Sequence, residues 1–389
     1  MKILLISSFL PYPLLLGGNI RLYNILKYLQ KNHEVVLVCE KRSYQKEADI
    51  KRVEEVCSRV ITVPRKKQWS VSNILKTAFS KSPFLLVGHE SSEIKKIVSK
   101  LLEEEKFDLI HVETFYVMHN LPKTNLPVVL VEHNIEYLIY ERFARNAFPI
   151  LRPFLMIDVA KLKREEEKAW DRASALVAVS KKEKELMGRD NVEVVPNGAD
   201  VDKFKLKNYK KGLNKKILFI GDFKYIQNQD SARWIIRNIW PLISANNKNV
   251  TLWIVGKNAV DRVGSYKREG IVLEDNPTSK TEDIFQQADI LLAPIRVGGG
   301  TSLKILEAMA SGLPVVTTLL GNEGIGAKDS EEIIVAEEPW EFSNKITDIL
   351  WNEGRIKEIG KNARVFIEKN YKWEKITEKL NDVYERVVK

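Results

Sequence analysis

The stretch LLAPIRVGGGTSLKILEAMASG, residues Leu291–Gly312, carries the strongest structural signal in the chain. A buried strand is predicted to stop at Pro294, and the glycines Gly298–Gly300 let the backbone approach a ligand closely. A helix is predicted to begin at Thr301 or Ser302, both of which are good N-cap residues. Its N-terminus can bind an anion, because the first N–H groups lack partners and the dipole is positive there. The stretch therefore predicts a phosphate site.

Two charged side chains on this helix suit a nucleotide. Lys304 lies in the first turn, where its cation is repelled by the helix dipole, and a neighbouring phosphate would explain its position. Glu307 follows one turn later, and its carboxylate can accept hydrogen bonds from two hydroxyls, as ribose offers them. The alternative is a glycine-rich connection followed by ordinary helix residues. We favour the nucleotide site because the loop, the helix start and the charges agree.

Composition and charge limit the class of protein. The chain has 389 residues, of which 44% are hydrophobic and 29% are charged, which is typical of a soluble globular protein with two domains. A net charge of +10 indicates an anionic partner, such as a phosphate-bearing ligand, a membrane surface or nucleic acid. The basic residues are scattered and form no cluster interleaved with aromatics, so nucleic acid is disfavoured.

The cysteines and the N-terminus predict an intracellular protein. Cys39 and Cys57 are too few for a disulfide framework, and no Cys/His spacing suggests a zinc site. Pro11 and Pro13 interrupt the apolar N-terminus, which is predicted to be a buried strand and a loop rather than a signal peptide. No run reaches the roughly 18 apolar residues of a membrane-spanning helix. We expect a cytoplasmic protein.

Short apolar runs alternate with helical patterns in two successive series. This alternation predicts an α/β protein with two Rossmann-like, doubly wound domains. We place the domains at 1–205 and 206–371, with the lysine-rich stretch Lys203–Lys216 between them. The predicted strands are Lys2–Ser7, Glu34–Cys39, Val60–Pro64, Leu109–Val112, Val128–Glu132, Ala175–Val179, Asn191–Val195, Ile217–Gly221, Val250–Val255, Gly270–Leu273, Ile290–Pro294, Pro314–Thr318 and Ile333–Val335.

Amphipathic patterns predict the helices between these strands. The mixed charges of Ile157–Trp170 indicate a solvated helix face. The last helix, Lys372–Val388, has apolar residues at helical spacing and suits either domain. Because parallel sheets bind ligands at the carboxyl ends of their strands, two such domains predict a cleft between two carboxyl edges. The other predicted helices are Ile20–Gln30, Ser92–Glu104, Ser231–Trp240, Thr281–Gln287, Ser302–Ala310 and Trp340–Asn352.

Polar residues and glycines at strand ends are further candidates for the site. Gly17 and Gly18 follow the first strand and offer a second backbone cradle, although paired glycines also make simple turns. His133 follows a buried strand, and His111 and Glu113 end the preceding one, where they could face the same cleft. A purely structural role remains the alternative for each of these three polar residues.

Asp200 and Asp202 have the spacing of the paired carboxylates with which many sugar transferases hold a divalent metal. They follow the turn Pro196-Asn197-Gly198, in the predicted linker rather than at a strand end. Mg²⁺ sites usually combine carboxylates with substrate phosphates inside a pocket. We therefore predict no metal at this position.

Taken together, the motifs resemble one family. The chain is similar to the retaining GT-B glycosyltransferases of family four, which use nucleotide-diphosphate sugars without a metal, and within them to the polysaccharide-biosynthesis branch. The motifs occur in family order over essentially the full length. They are Gly17-Gly18-Asn19-Ile20-Arg21, Glu132-His133-Asn134-Ile135-Glu136-Tyr137, Ala178-Val179-Ser180, Val195-Pro196-Asn197-Gly198, Phe219-Ile220-Gly221-Asp222-Phe223 and the block 291–312.

The resemblance implies roles for these residues. The paired glycines cradle the diphosphate, and His133 hydrogen-bonds the transferred sugar and lines the catalytic face. The glycine-rich loop and Thr301 give backbone N–H groups to sugar and phosphate, and Glu307 takes the ribose hydroxyls. Arg21 and Asn197 are weaker donor-site candidates because they belong to the matching motifs. The final helix usually crosses back to the N-terminal domain, which would place residues 372–389 there.

Two departures from the family pattern concern the donor. Gly299 stands where many members have a glutamate that contacts the sugar, so backbone groups would replace it. Many members also have an Arg and a Lys after the first strand of the second domain, which clamp the diphosphate, and this pair is absent here. Arg296 and Lys304 are our candidates for the missing cations, with Lys224 behind them.

We therefore expect a metal-independent hexosyltransferase, with no cofactor, that retains the anomeric configuration. Its donor would be a nucleotide-diphosphate sugar and its acceptor a glycan or a lipid-linked hydroxyl in cell-surface polysaccharide synthesis. No obvious nucleophilic carboxylate supports a covalent two-step route. The alternatives are a non-catalytic scaffold that binds sugar nucleotides, a GT-B nucleotide-sugar epimerase, and a phosphorylase, for which no pyridoxal-phosphate lysine motif is present.

One predicted surface of the first domain concerns the acceptor. The basic run Arg65-Lys66-Lys67 is followed by apolar residues within the next twenty or so positions. Such a surface suits an anionic membrane and a lipid-linked acceptor, with peripheral binding at the inner face of the membrane. The alternative is that these residues form helix core. They are Trp69, Ile74, Leu75, Phe79, Phe84, Leu85 and Leu86.

Overall fold

The computed structural model describes residues 1–209, 212–275, 277–296 and 300–389. Within these ranges the strands form two sheets, of seven and of six strands. The first contains β1 (Lys2–Ser7), β2 (Glu34–Lys41), β3 (Arg59–Pro64), β4 (Leu109–Glu113), β5 (Val128–Glu132), β6 (Ala175–Ala178) and β7 (Val192–Val194). The second contains β8 (Lys215–Ile220), β9 (Val250–Val255), β10 (Ile271–Glu274), β11 (Ile290–Ala293), β12 (Val315–Thr317) and β13 (Ile334–Val335).

Both sheets are doubly wound. The strand orders are β3-β2-β1-β4-β5-β6-β7 and β10-β9-β8-β11-β12-β13, and neighbouring strands are parallel throughout. Each order reverses once, between β1 and β4 in the first sheet and between β8 and β11 in the second. Sheets of this kind bind ligands outside the carboxyl ends of the strands at that switch point. The predicted Rossmann-like, doubly wound fold is confirmed.

Helices connect the strands of both sheets. The helices of the first half are α1 (Gly17–Leu29), α2 (Glu47–Glu54), α3 (Val71–Phe79), α4 (Phe84–Val87), α5 (Ser92–Glu104), α6 (Glu136–Arg145), α7 (Arg152–Asp171) and α8 (Lys181–Met187). The later ones are α9 (Ile226–Trp234), α10 (Trp240–Asn246), α11 (Ala259–Val263), α12 (Thr281–Gln287), α13 (Leu303–Ala310), α14 (Leu319–Glu323), α15 (Pro339–Leu350), α16 (Glu353–Asn370) and α17 (Trp373–Val388). A π-helical turn, Ile235–Ile239, joins α9 to α10.

The central strands are buried on both faces. Every residue of β4, β5 and β11 is buried. Parallel strands covered by helices on both sides are nearly continuous apolar runs rather than alternating ones. Polar side chains in such strands therefore stand out, and His111 and Glu113 in β4 are the clearest cases.

The chain divides into two compact units, and the division differs from the predicted one. The first unit is Met1–Val195 with Ile376–Lys389, and the second is Pro196–Lys375. The predicted boundary at 205/206 is therefore too late. The residues after Pro196 pack in the second unit: Phe204 is buried there, and the Tyr209 hydroxyl donates to the Gly312 carbonyl over 2.6 Å. Lysines made this stretch look like a linker, but its apolar residues hold it in place.

The last helix, α17, contributes to both units. Trp373–Lys375 belong to the second unit and Ile376–Lys389 to the first. In the first unit Asn381 Oδ1 lies 3.1 Å from the ring of His33, and Arg386 pairs with Glu193 at 2.6 Å. The expected placement of 372–389 with the N-terminal domain applies from residue 376 onward.

The charged stretch Ile157–Trp170 lies in α7, and the solvated-face prediction is wrong for one side of it. Glu166 is fully buried, and its carboxylate accepts the backbone N–H groups of Glu136 and Tyr137 over 2.9 Å each. This carboxylate caps the first turn of α6, whose N–H groups need acceptors. A charge in a mixed run can thus be structural, which periodicity alone does not reveal.

Candidate functional site

The predicted site residues lie at the switch points of both sheets. In the second unit, β8 ends just before Gly221 and β11 ends at Ala293, where the glycine-rich loop begins. In the first unit, β1 leads to the loop before Gly17, and β4 ends at Glu113. Each unit therefore brings its candidates to the edge where doubly wound sheets bind ligands.

The loop after β11 is held by three hydroxyls. Ser231 donates to the Pro294 carbonyl over 2.7 Å, Thr317 to the Ala293 carbonyl over 2.6 Å, and Thr318 to the Ile295 carbonyl over 2.5 Å. These bonds fix the start of the loop before any ligand arrives. No local sequence pattern predicts these hydrogen bonds, because the partners of the hydroxyls are backbone atoms of distant residues.

At Gly300, the last residue of the glycine-rich loop, the backbone conformation requires a glycine. Gly300 has a φ of +78°, which L side chains rarely adopt. A Cβ on Gly324 would also come within 2.6 Å of the Gly300 carbonyl oxygen, so a second glycine permits the close packing. The other predicted cradle residues, Gly298 and Gly299, lie outside the described residues.

The helix after the loop begins next to Ser302, the second of its two predicted cap residues. Ser302 is the N-cap of α13, and its side chain makes no capping hydrogen bond. Thr301 instead is bonded to the Pro-Asn-Gly turn: the Asn197 N–H donates to Thr301 Oγ1 over 3.2 Å, and Asn197 Nδ2 donates to the Thr301 carbonyl over 2.9 Å. Asn197 therefore supports the loop, and the start of α13 is not closed by its own N-cap side chain.

Lys304 is a cation without a carboxylate partner. Its Nζ donates to Asn228 Oδ1 over 2.8 Å and lies 4.9 Å from the centre of the Phe219 ring. Burial lowers the pKa of Lys304 to about 8. Among the residues that the structure describes, no Asp or Glu pairs with it. A half-buried ammonium that has only an amide and a ring for neighbours is a favourable place for an anion.

Asn228 is a functional candidate that sequence reasoning missed. It accepts from Lys304 with its oxygen and donates with Nδ2 to the Asp222 carbonyl over 2.8 Å. The amide also packs against Gly221, where a Cβ would come within 2.8 Å of it. Only the tertiary structure pairs it with Lys304.

Glu307 is a carboxylate without a hydrogen-bond donor in the described part of the chain. Burial raises the pKa of Glu307 to about 7; Lys203 opposes the shift, and Glu282 and Asp200 add to it. It lies three residues after Lys304 on α13, so both side chains are on neighbouring positions of one helix face. A carboxylate that has no donor lies next to an ammonium that has no carboxylate partner among the described residues. This pair suits a ligand that carries both hydroxyls and phosphate.

The two other candidate cations are more exposed. The Arg296 guanidinium lies 5.0 Å from the centre of the Trp234 ring, and its Nη1 is 3.7 Å from Asp230 Oδ2. Lys224 is exposed, in the turn that follows Gly221. Both are at the switch-point edge of the second sheet, yet neither is confined as Lys304 is.

In the first unit, the paired glycines open α1 and lie beside His133. A Cβ on Gly18 would be 3.2 Å from both Cε1 and Nδ1 of His133, so the close approach depends on glycine. Arg21, from the same motif, is almost fully buried and donates from Nη2 to the Val195 carbonyl over 2.8 Å. It ties α1 to the end of the first unit rather than pointing to solvent.

His133 is the accessible end of a buried polar chain. Its Nε2 lies 2.5 Å from Glu113 Oε1, and Glu113 Oε2 lies 2.6 Å from His111 Nε2. His111 Nδ1 in turn is hydrogen-bonded to the hydroxyl of Tyr384 in α17. Glu113, His111 and Tyr384 are all fully buried, whereas the His133 side chain is 17% exposed.

The expectation that His111 and Glu113 face a ligand is therefore wrong. β4 is buried on both faces, so its side chains reach neighbouring side chains and not solvent. Burial alone would raise the pKa of Glu113, but the imidazoles of His133 and His111 more than offset it and hold that pKa well below its usual range. Glu113 is an ionised carboxylate enclosed by donors.

The acidic pair Asp200 and Asp202 is used locally. Asp200 Oδ1 accepts the backbone N–H groups of Asp202 and Lys203, each over 3.0 Å, which closes a turn. Over the described ranges, no cluster of three or more His, Cys, Asp or Glu side chains has the arrangement of a metal site. The same ranges also contain no helix that is both long and apolar enough to cross a bilayer.

Comparison with known proteins identifies the family. Residues 17–203 match the model "Glycosyltransferase Family 4", and residues 214–352 match "Glycosyl transferases group 1". A protein from the cps region of Klebsiella pneumoniae, described as uncharacterized, is 26% identical over 96% of this chain and 97% of its own length. The UDP-Gal:alpha-D-GlcNAc-diphosphoundecaprenol alpha-1,3-galactosyltransferase of Escherichia coli is 22% identical, over 75% of this chain and 79% of its own.

Solved structures agree on the fold. HepE of Anabaena, solved in complex with UDP and glucose, superposes with a TM-score of 0.68 at 15% identity, over 99% of this chain and all of that one. The two family models together span both parallel-sheet units, in the order of the sequence motifs. The chain is therefore a glycosyltransferase with the GT-B fold, and it belongs to the family described by the Glycosyltransferase Family 4 and Glycosyl transferases group 1 models.

Proposed function

We propose that the chain transfers a hexosyl unit from a nucleotide-diphosphate sugar to a hydroxyl of a glycan or lipid-linked acceptor, in the synthesis of a cell-surface polysaccharide. The observation that carries this proposal is a pair of charged side chains on α13 that have no partner of opposite charge among the described residues. Lys304 has only the Asn228 amide as a hydrogen-bond partner, and Glu307 has none in the described chain.

The spacing of these charges suits the donor. Lys304 is next to the uncapped start of α13, where backbone N–H groups favour phosphate oxygens. Glu307 is one turn further along the helix, where its carboxylate can accept from two hydroxyls of a ribose. A nucleotide diphosphate offers phosphates and ribose hydroxyls at neighbouring positions, and so satisfies both residues.

The names of similar proteins support the same class of substrates. The Escherichia coli relative is named for a UDP-sugar donor and a diphosphoundecaprenol acceptor, and the Anabaena structure was solved with UDP and glucose. For this chain we propose a UDP-sugar as the first donor to test and a polyprenyl-diphosphate-linked sugar as the first acceptor.

We propose that the transfer retains the anomeric configuration and requires no metal ion or cofactor. The bond from the anomeric carbon to the phosphate breaks, and the bond to the acceptor oxygen forms on the same face. The acceptor proton goes to the leaving phosphate. Lys304, with Arg296 in support, neutralises the phosphate charge as it develops, and His133 orients the sugar.

The donor assignment is tested by binding and turnover together. A thermal-shift screen with UDP-, GDP-, ADP- and CMP-sugars identifies the base, and calorimetry then compares Glu307→Ala with the matched control Glu358→Ala on an exposed part of α16. Losing hydrogen bonds from a charged acceptor costs about 1.5–3 kcal/mol, or about 10- to 100-fold in Kd. Equal donor affinity and turnover in both variants would exclude the assignment.

The same donors separate the alternatives. A scaffold binds a sugar nucleotide but neither transfers nor hydrolyses it, and an epimerase changes the sugar without any acceptor. Product analysis by NMR distinguishes the three outcomes, and the anomeric coupling constant of the product reports retention directly. Turnover that disappears in excess EDTA and returns with Mg²⁺ would overturn the metal-independent mechanism.

A peripheral contact with an anionic membrane is the second part of the proposal. Large apolar side chains concentrate on two neighbouring segments of the first unit, here called the apolar face. Phe79 is 88% exposed, Trp69 78%, Ile150 71% and Phe154 70%. The apolar face consists of Trp69, Val71, Ile74, Leu75, Phe79, Phe143, Phe148, Ile150, Leu151, Phe154 and Ile157.

The two segments are neighbours in the fold. Lys161 of α7 donates to the carbonyls of Thr77 and Ser80 at the end of α3, over 2.7 and 2.9 Å. The N–H of Phe84 donates to the Asp158 carboxylate of α7 over 3.1 Å. Of the predicted surface, Leu86 is buried and belongs to the core instead. The structure thus exposes the earlier part of that surface and adds the α6–α7 connection to it.

The charges around the apolar face select an anionic lipid surface. Residues 65–81 contain five Lys or Arg and residues 142–157 contain three, and neither segment contains an Asp or Glu. Some of these cations pair with carboxylates, as Lys76 does with Glu90 and Arg145 with Glu141, and the other cations leave the rim positive. An apolar surface with a positive rim suits the boundary between headgroups and acyl chains of an acidic membrane.

Vesicle flotation tests this contact. Wild-type protein should float with phosphatidylcholine vesicles that contain phosphatidylglycerol, less at high salt, and Phe148→Ser with Phe154→Ser should abolish flotation. Leu213→Ser, at an equally exposed leucine of the second unit, is the control and should float as the wild type does. Two results together would assign the apolar face to a second copy of the chain instead. The wild type would not bind vesicles, and sedimentation would show a dimer for the wild type but a monomer for the double variant.

A further inference from the structure

Four side chains of the first unit form one continuous series of hydrogen bonds. It runs from the Tyr384 hydroxyl to His111 Nδ1, from His111 Nε2 to Glu113 Oε2 at 2.6 Å, and from Glu113 Oε1 to His133 Nε2 at 2.5 Å. Three members are fully buried, and His133 alone reaches the surface. The series therefore connects α17, the core of the sheet and the edge where ligands bind.

The direction of each hydrogen bond follows from the chemistry of the middle residue. An ionised carboxylate has no proton to donate, so the Nε2 atoms of both His111 and His133 must carry the hydrogens that point to Glu113. A neutral imidazole has only one N–H group. In their neutral forms both histidines are therefore Nε2–H tautomers, and the His111 Nδ1 lone pair then accepts the hydrogen of the Tyr384 hydroxyl.

The other nitrogen of His133 lies beside Gly18. Its Nδ1 is 3.2 Å from the position that a Cβ on Gly18 would take, so this edge of the ring borders the paired-glycine loop. No described residue forms a hydrogen bond with this atom. In the Nε2–H tautomer Nδ1 is an acceptor, which is complementary to a hydroxyl of a bound molecule.

We propose that Glu113 is a positioning residue that holds His133 in the Nε2–H tautomer and so presents Nδ1 beside Gly18 as a hydrogen-bond acceptor for a sugar hydroxyl. The identity of the ligand rests on the proposed function, whereas the tautomer does not. His133 contacts the substrate, and Glu113 acts through His133. His111, which is itself hydrogen-bonded to Tyr384, holds the far oxygen of Glu113 and so restrains rotation of the carboxylate.

The tautomers can be measured without any substrate. The chain has five histidines, so selective ¹⁵N labelling of the imidazoles gives a spectrum of few signals. Long-range proton–nitrogen correlation separates protonated from unprotonated ring nitrogens, and a series of pH values identifies the neutral form, in which each ring has only one N–H group. The signals of His133 and His111 are assigned from His133→Asn and His111→Asn, and we expect the Nε2–H pattern for both.

Glu113→Gln tests the cause. A glutamine offers one oxygen and one NH₂ group, so it can accept from only one of the two imidazoles through the geometry of the wild type. The other imidazole must present its lone pair, and we expect one of the two histidines to switch to the Nδ1–H form. Glu113→Asp keeps an ionised carboxylate and should keep both tautomers, although its reach is shorter.

The control is Glu40→Gln, the same replacement at another buried glutamate next to a histidine. Glu40 Oε2 lies 2.9 Å from His89 Nδ1, away from the series of Tyr384. This variant should leave the signals of His133 and His111 unchanged. If His133 is the histidine that switches, we expect Glu113→Gln to lower kcat at least about 10-fold in turnover assays, with a smaller change in KM, since a misaligned acceptor affects the reacting sugar most.

The outcomes separate this inference from the proposed function. An Nδ1–H pattern for His133 in the wild type, or unchanged tautomers in Glu113→Gln, overturns the inference whatever the enzyme does. The expected tautomers, together with no transfer from any sugar nucleotide, overturn the proposed function and leave the positioning role of Glu113 in place.

Discussion

The candidate residues of the two units are held in opposite ways. In the first unit, Glu113 is enclosed by donors, and its carboxylate forms short hydrogen bonds with His133 and His111. In the second unit, Lys304 has one amide partner and the Glu307 carboxylate has none in the described chain. The first arrangement is complete without a ligand, and the second lacks the groups that a ligand would supply.

This difference indicates a division of roles. A closed buried network is rigid, so the first unit can present the acceptor atom of His133 in one orientation. Half-buried charges without a partner of opposite charge cost stability in the free protein, and binding of a complementary ligand recovers that cost. Replacing a residue of the closed network should therefore lower stability, whereas replacing an open charge should lower affinity and leave stability equal or higher.

The largest effect is expected for Glu113→Ala. Removal of the carboxylate leaves the Nε2–H donors of His111 and His133 without an acceptor, and each such loss costs about 1–3 kcal/mol. We expect the free energy of unfolding to fall by several kcal/mol, measured by chemical denaturation. Thr62→Ala, in β3 of the same sheet, is a control for an exchange to alanine away from the network. A loss below about 1 kcal/mol, within the range of an ordinary surface change, would mean that the network is not closed.

Lys304→Met should separate affinity from stability. Without the ammonium the diphosphate loses a charge-assisted contact, so we expect the donor affinity to fall by about 1.5–3 kcal/mol in calorimetry. The midpoint of thermal unfolding should stay equal or rise, because an apolar side chain of similar length replaces a half-buried cation. A drop in stability like that of the Glu113 variant would remove the distinction between the two units.

The pH dependence of stability should have opposite signs in the two units. The folded pKa of Glu307 is raised to about 7, so its contribution is present in acid and is lost as pH rises from its unfolded value towards 7. The slope is at most about 1.4 kcal/mol per pH unit for one proton. The folded pKa of Glu113 is lowered, so its contribution is present above the unfolded pKa and is lost at lower pH.

Glu307→Gln and Glu113→Gln isolate these two contributions. Denaturation curves at a series of pH values should show the decline between about pH 4.5 and 7 in the wild type and a smaller decline in Glu307→Gln. Glu113→Gln should instead weaken the loss of stability on acidification. Parallel curves for the wild type and Glu307→Gln would contradict the raised pKa.

The smallest effect is expected for Tyr384→Phe. It removes one hydrogen bond at the buried end of the series, which is worth about 0.5–1.5 kcal/mol. His111 keeps its bond to Glu113, so donor binding should not change. A loss of stability as large as that of Glu113→Ala, measured in the same denaturation experiment, would show that α17 and not the carboxylate carries the network.

The strands and the donor loop were predictable from the sequence because both depend on local patterns. Doubly covered parallel strands are apolar runs, so the runs around β1, β5 and β9 indicate strands whatever their partners are. The glycines before α13 mark a backbone that must pass close to other atoms, and Gly300 with its positive φ is one such position.

Other features depended on contacts between distant residues. The end of the first unit was misplaced because lysines surround Phe204 in the sequence, while its ring is buried in the second unit. The exposure of His111 was misjudged because a histidine at a strand end can face a ligand or the core, and β4 is covered on both sides. No local pattern distinguishes these cases.

By itself the sequence determined the order of strands and helices, the glycine-rich loop and the presence of Lys304, Glu307 and His133, since these follow from periodicity and from backbone freedom within a few residues. Only the tertiary structure decided which polar groups have partners. Glu113 is joined through His111 to Tyr384, which is far away in the sequence, while Glu307 has no hydrogen-bond donor among the described residues. The physical reason is that a hydrogen bond requires two atoms to lie about 3 Å apart in space, and the separation of two residues along the chain does not tell whether they do.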